Sequence, residues 1–196
     1  ADAIVAAGGK ATPVACHIGE LEQIQAVFAQ IREQFGRLDI LVNNAATNPQ
    51  FCNVLDTDLS AFQKTVDVNI RGYYFMSIEG GKLMKENGGG SIINTASIAG
   101  LQAGFGPIAY STAKAGVIHM SRVAAAQLSR QKVRVNAICP GLIETGMTQA
   151  IFDGANILDG TAAAPLDFLA SADGAETISL DPQDLSAAGL GLDTLD

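Results

Sequence analysis

The feature that most limits the folds open to this chain is an alternation. Four short, nearly continuous apolar runs are separated by longer stretches with helical spacing. The runs are "TPVACHI" (12–18), "LDILVNNAA" (38–46), "SIINTAS" (91–97) and "VRVNAICPG" (133–141). A short run that is apolar almost throughout reads as a strand buried on both faces rather than one with a wet side. After the first run, Leu21, Ile24, Val27, Phe28, Ile31 and Phe35 recur every three or four residues, and Gly36 stops the series. A second helical stretch runs from about Asp58 to Glu86, with Asp56, Thr57 and Asp58 as capping residues and Gly88, Gly89 and Gly90 beyond it. A third runs from Tyr110 to about Leu128. Strands joined by helical crossovers predict an α/β fold, a doubly wound parallel sheet covered on both faces. Such sheets bind ligands beyond the carboxyl ends of their strands. Polar residues gather there: Asn43 and Asn44 after one strand, Ser97 after the next, Pro140 and Gly141 after the last.

The stretch "AYSTAKAG" (109–116) places Tyr110 and Lys114 four residues apart. Residues i and i+4 lie on one helix face, one turn apart. An exposed helical pair satisfies that spacing as well as chemistry does. The chemical reading rests on charge: a phenol titrates near ~10, and a fixed ammonium nearby favours the phenolate. The pair can then serve as a general acid or base. Ser97 ends a strand 13 residues earlier, where its hydroxyl could polarise a substrate carbonyl, and Asn69 sits in the second helical stretch, in "VDVNIRG".

Together, "LDILVNNAA", "DVNIRG", "GSIINTASIAG", "YSTAK" and "VNAICPGLIET" resemble, in order and spacing, the short-chain dehydrogenase/reductase family over about residues 1–150. That resemblance implies a Rossmann-like sheet, NAD or NADP as cofactor, and hydride transfer between the nicotinamide and a small-molecule ketone or secondary alcohol. Tyr110 would exchange the proton at the substrate oxygen. Lys114 would hold the nicotinamide ribose hydroxyls and lower the tyrosine pKa. Ser97 would hold the carbonyl, and Asn69 would anchor a water in a relay reaching Lys114. Asn43 and Ala45 would lie beside the adenosine half of the cofactor. Pro140, Gly141, Ile143 and Thr145 would contact its nicotinamide half. His17 stands where the family most often has an aspartate near the adenine; it contacts the cofactor there or is a satisfied strand-end histidine. Asn44 either joins this set or ties strands and loops together. Thr95, Ser121, His119 and Cys139 read as structural.

The pattern departs from the family at both ends. The opening "ADAIVAAGGK" resembles the end of one of the family's early helices, so the strand and glycine-rich turn that would seat a pyrophosphate are expected to be missing. The later glycine clusters neither follow a strand nor open a helix. Charge also breaks near 150. Residues 1–150 carry all 12 Lys and Arg against 11 Asp and Glu, whereas 151–196 carry no Lys or Arg and 9 Asp and Glu. Residues of about 156–196, with "ILDG", "GAETISL" and "LGLD", resemble a segment of bacterial flagellin. The expected organisation is an incomplete reductase core (1–150) joined to an irregular acidic tail (151–196), a chimera or a divergent end. Such a chain is either an oxidoreductase or a catalytically impaired product that binds cofactor poorly. "ETISL" (176–180) alternates polar and apolar residues and is expected to stay out of the core sheet.

Composition narrows the partners. No apolar run approaches the ~20 residues of a membrane span. Neither part carries a basic patch, so nucleic acid is not an expected partner. Cys16, Cys52 and Cys139 have neither zinc nor redox spacing and suit a reducing cytoplasm. The two long helical stretches (58–86 and 110–128) are the expected faces for pairing with a second copy.

Overall fold

The computed structural model describes residues 1–104, 106–148, 166–169 and 177–180. The chain divides into two units, Ala1–Ala155 and Asn156–Asp196, each described here by itself. In chain order the elements are α1 (Asp2–Ala6), α2 (Leu21–Phe35), β1 (Ile40–Asn43), α3 (Leu59–Val66), α4 (Tyr73–Glu86), β2 (Gly90–Thr95), α5 (Ile108–Leu128), β3 (Val133–Ile138), β4 (Leu166–Leu169) and β5 (Thr177–Leu180). Strands β1, β2 and β3 form a parallel sheet in that order. Each crossover is helical, as the alternation predicts. In the second unit β4 and β5 make a two-stranded antiparallel sheet of their own, Leu166 opposite Leu180. The rest of the expected acidic tail lies outside the described residues.

Register explains the core. Leu41, Ile92 and Val135 lie side by side across the three strands and meet Ile24 and Phe28 of α2 and Met84 of α4. The α2 series therefore buries the stripe its spacing predicts, and Gly36 ends it with φ +68°, a conformation an L side chain resists. A second cluster, Tyr73, Ala96, Val117 and Ile118, packs under the carboxyl end of β2.

Two expectations change. The run 12–18 is irregular backbone, not a buried strand. A strand needs a neighbour to take its N–H and C=O groups, and among the described residues no ladder reaches this segment. Cys16 and Ile18 pack against the two core clusters, while Val14 stays exposed. Second, the described helices cover only one face of the sheet. On the other, Ile40 and Val42 are more than half exposed (61% and 55%) and Ile138 nearly so (48%). The fold is of the doubly wound α/β class with one of its two helical layers among the described residues.

The second helical stretch is continuous but not uniform. Between α3 and α4, Asp67–Gly72 widens into a π turn. Widened turns of this kind mark functional sites more often than chance. Here the segment lies against the loop before α2: a Cβ on Gly72 would sit 2.7 Å from the Ile18 carbonyl oxygen. The Arg71 guanidinium donates to the Gly19 carbonyl from the same turn.

Candidate active site

The carboxyl end of β2 organises the site. Beyond the strand, Ala96 N–H donates to the Ile138 carbonyl at 2.7 Å and Ile98 N–H to that of Pro140 at 3.1 Å. The chain is thus held to the end of β3, with Ser97 between the two bonds. The Ser97 hydroxyl accepts the Ala99 N–H at 3.1 Å and caps a single 3-10 turn, Ile98–Gly100. That turn touches α5 closely. A Cβ on Gly100 would meet the Ala115 nitrogen and the Lys114 carbonyl carbon at 2.6 Å each, so only glycine lets the Ser97 loop lie on the helix at Lys114.

Lys114 is not an exposed helical partner of Tyr110. It is 1% exposed, and Nζ donates to the Thr95 carbonyl at 2.7 Å. The ammonium lies 5.6 Å from the centre of the Tyr110 ring and 5.1 Å from that of Tyr73. Among the described residues no carboxylate pairs with it. Burial therefore pulls its pKa down to about 8, a fall that Cys139 partly opposes. Tyr110 is half-buried, and burial raises its phenol pKa while Ser97 acts in the opposite direction. The expected lowering of the tyrosine does not emerge, because the loss of hydration outweighs the Ser97 hydrogen bond.

Ser97, Tyr110 and Gly141 line one small cleft of about 80 Å³, together with Asn48, Phe51 and Met147. Pro140 lies next to this cleft in the chain, and its carbonyl accepts the Ile98 N–H. Ile143 and Thr145 lie on the exposed strand-exit loop, where the Thr148 hydroxyl donates to the Ile143 carbonyl and accepts the Thr145 N–H. Asn69 is fully buried in the π turn, and its amide is spent on Thr47: Nδ2 donates to the Thr47 carbonyl at 2.8 Å, and Oδ1 accepts the Thr47 N–H at 2.9 Å. It clamps the loop after β1 to the helix that faces Lys114.

The Asn43 side chain turns into the core. Its side chain is 4% exposed and donates to Asn94 Oδ1 at 2.8 Å and to Ser77 Oγ at 3.2 Å. Asn94 in turn donates to Ser121 Oγ at 2.9 Å. This amide ladder joins β1, β2, α4 and α5 beneath the sheet, the tying role that sequence reading offered to Asn44. Asn44 and Ala45 are the exposed residues past β1. His17 is exposed and satisfied locally: Nδ1 accepts the Gly19 N–H at 3.2 Å, and its own N–H donates to Gln23 Oε1 at 2.7 Å. The residues that sequence reading missed are Tyr73, Asn48, Phe51 and Met147. They carry no spacing that sets them apart.

A groove between two helices holds none of this chemistry. It measures about 650 Å³ and runs between α4 and α5, lined by Ile70, Tyr74, Ile78, His119, Val123 and Leu128 among others. Its walls are mostly apolar, and it fits a packing surface better than a reaction site. No helix among the described residues is long and apolar enough to cross a membrane, and no group of three potential metal ligands comes together among them.

A parallel α/β sheet with its hydroxyls and one buried ammonium gathered at the strands' carboxyl ends defines a ligand-binding α/β protein of the dinucleotide type. The comparisons narrow that class. The family model described as enoyl-(acyl carrier protein) reductase matches residues 1–176. Dehydrogenase/reductase SDR family member 4 of Oryctolagus cuniculus is 33% identical over 153 residues, 77% of this chain and 58% of that protein. The 3-oxoacyl-(acyl-carrier-protein) reductase of Synechocystis is 35% identical over 146 residues, 74% of this chain and 59% of that one. Among solved structures, a short-chain type dehydrogenase/reductase from Mycobacterium marinum superposes with a TM-score of 0.74 at 32% identity, covering 78% of this chain and 61% of the other. An NAD+-bound xylitol dehydrogenase does so with a TM-score of 0.70 at 29% identity, covering 74% and 56%. The chain belongs to the short-chain dehydrogenase/reductase family. It spans about three fifths of the length of these relatives.

Proposed function

We propose that this chain carries the catalytic part of an oxidoreductase that uses NAD or NADP to interconvert a small ketone and a secondary alcohol. The observation that carries the reading is the convergence of Ser97, Tyr110 and a buried Lys114 on the end of β2. In the reducing direction the Tyr110 hydroxyl gives its proton to the substrate oxygen, and Ser97 Oγ donates a hydrogen bond to that oxygen as its charge grows. Burial holds Tyr110 protonated at neutral pH, the state a donor needs. Lys114 steadies the phenolate left behind. The nicotinamide, when bound, supplies or accepts the hydride. The donor set fits its ribose: Lys114 spends one N–H on Thr95, and the other two match a pair of hydroxyls. Pro140, Gly141, Ile143 and Thr145 would flank the nicotinamide half, and the backbone past β1 at Ala45 the adenosine half. His17 would reach the adenine only by giving up its local bond to Gly19. Asn43 would support this site through the sheet.

The test is kinetic. Tyr110→Phe keeps the ring and removes the proton, so NADH-dependent reduction of a small ketone panel should nearly vanish. Ser97→Ala should fall mainly on kcat, by roughly 100-fold for a lost donor of this kind. Wild-type turnover in the Tyr110→Phe chain would overturn the assignment.

A second reading concerns strength. Among the described residues no glycine-rich turn opens a helix to receive a pyrophosphate, so these 196 residues by themselves would bind cofactor poorly. We also propose that residues 151–196 form a separate acidic unit, flagellin-like in sequence from about 156. The division at 155/156 supports a boundary there, although the family match continues to residue 176. Pairing of two copies through α4 and α5 is supported by the apolar groove between them. A cytoplasmic setting is supported by three free cysteines.

A further inference from the structure

Lys114 is the most demanding group in the molecule: an ammonium, 1% exposed, with no carboxylate partner among the described residues. Something must stand in for the missing counter-charge. Two groups touch it besides Tyr110. One is the Thr95 carbonyl. The other is Tyr73, the first residue of α4, which is 0% exposed. Its ring lies 5.1 Å from the ammonium, nearer than the Tyr110 ring at 5.6 Å. Its hydroxyl donates at 3.3 Å to the same Thr95 carbonyl that Lys114 holds at 2.7 Å. Burial raises the Tyr73 phenol pKa strongly, so the group stays protonated and remains a donor.

The backbone explains how Tyr73 comes to be there. It follows directly on the π turn Asp67–Gly72. In this segment Thr65, Val68, Asn69, Gly72 and Tyr73 are buried at the i, i+3, i+4, i+7, i+8 spacing of a helix, which puts Tyr73 on the inner face under β2. Gly72 lets that turn press against Ile18.

We propose that Tyr73 is a positioning residue for the active site: its ring is the surface on which the Lys114 ammonium rests, and it keeps that ammonium charged and aimed toward Tyr110. The electron-rich face of a buried ring attracts a cation that water no longer solvates. The other titratable groups facing Lys114 are Tyr110 from its own helix and Cys139 from the exit of β3. The inference rests on the proposed roles of Lys114 and Tyr110, and the experiment separates the two.

The direct measurement is an NMR titration of the Lys114 side chain in the chain labelled at lysine, without cofactor, assigned through Lys114→Met. Tyr73→Phe keeps the ring, and the titration should stay within a few tenths of a unit of the wild type. Tyr73→Leu removes the ring, and the Lys114 pKa should drop by about one unit. If Tyr73→Leu does not fold, Tyr73→Met, which fills the space without a ring, is held to the same criterion. An unchanged or higher Lys114 pKa without the ring overturns the proposal. The functional counterpart is a pH profile with NADH and ketone. A one-unit fall from about 8 costs roughly 5-fold in charged Lys114 at pH 8 and little at pH 6. The ring-less chain should lose activity in that pattern, and Tyr73→Phe should restore it. Equal losses at both pH values would indicate packing alone and refute the proposal. If the NMR shift appears while Tyr110→Phe leaves turnover intact, the proposed function falls and the Tyr73–Lys114 coupling stands. If Tyr110→Phe abolishes turnover and the Lys114 pKa ignores Tyr73, the reverse holds.

Discussion

Replacing Lys114 with methionine should make this protein more stable while removing the group its proposed chemistry needs. The ammonium is buried without a carboxylate, and its pKa falls from 10.5 to about 8. At ~1.4 kcal/mol per pH unit, holding the charge inside costs roughly 3 kcal/mol of folding free energy at pH 7. Methionine has a similar length, no charge and a side chain that adapts to its surroundings. The Thr95 carbonyl keeps the Tyr73 hydroxyl as a donor, so the substitution orphans no acceptor. The net gain expected for Lys114→Met is therefore about 2–3 kcal/mol at pH 7.

The sign and the pH window follow from linkage. A base whose pKa is depressed on folding binds more protons unfolded than folded between the two values. Stability thus rises with pH from about 8 to 10.5, and the cost is fully present below 8. The advantage of the methionine variant should be largest at pH 7 and fall below ~1 kcal/mol at pH 10. Tyr73, Tyr110 and Cys139 titrate in both proteins, so the difference between the two chains is the quantity to read. Urea unfolding followed by circular dichroism at pH 7 and pH 10 supplies it. A variant less stable than wild type at pH 7, or an equal gap at both pH values, would refute the argument. Confirmation would place Lys114 among side chains kept for function at a cost in stability.

Other consequences follow from the same geometry. Asn94→Ala removes two buried bonds, from Asn43 and to Ser121, and should destabilise the fold by about 2–3 kcal/mol in urea; an effect within ±0.5 kcal/mol would mean that the amide ladder contributes nothing. Calorimetry of the 196-residue chain with NADH should give a Kd in the millimolar range, ~4 kcal/mol of binding, because only the two ends of the cofactor meet the residues identified above. Micromolar binding would show that another segment cradles the phosphates. Residues 1–155 expressed alone should show the same urea midpoint as the whole chain if the boundary at 155/156 separates independent units. A lower midpoint would join them.

What could be read from the sequence, and what could not, divides along a physical line. Periodicity is a property of consecutive residues, so α2, α5 and the three parallel strands were legible from side-chain spacing, whereas the grouping of Ser97, Tyr110 and Lys114 was implied by the family resemblance. The run 12–18 has the composition of a strand but no ladder partner among the described residues, and no local pattern reports whether a partner exists. Asn43 and Asn44 show a related limit. Strand side chains alternate between faces, and a shift of one residue decides whether an asparagine enters the core or the ligand side. Here Asn43 is buried and Asn44 is exposed. Tyr73 sits on the buried stripe of its helix, where spacing reads as packing and does not report the ammonium that tertiary structure sets 5.1 Å from its ring. The same stripe buries Asn69 against Thr47 and brings Tyr73 under Lys114. Asn69 and Tyr73 are four residues apart in one helical segment, so a change of register there should disturb the clamp on the β1 loop and the surface beneath the ammonium together. Deleting one residue from Asp67–Gly72 is the corresponding perturbation. It should shift the Lys114 titration and free the Thr47 amide to hydrogen exchange in the same chain, and a deletion that moves one without the other would show that the two are held independently.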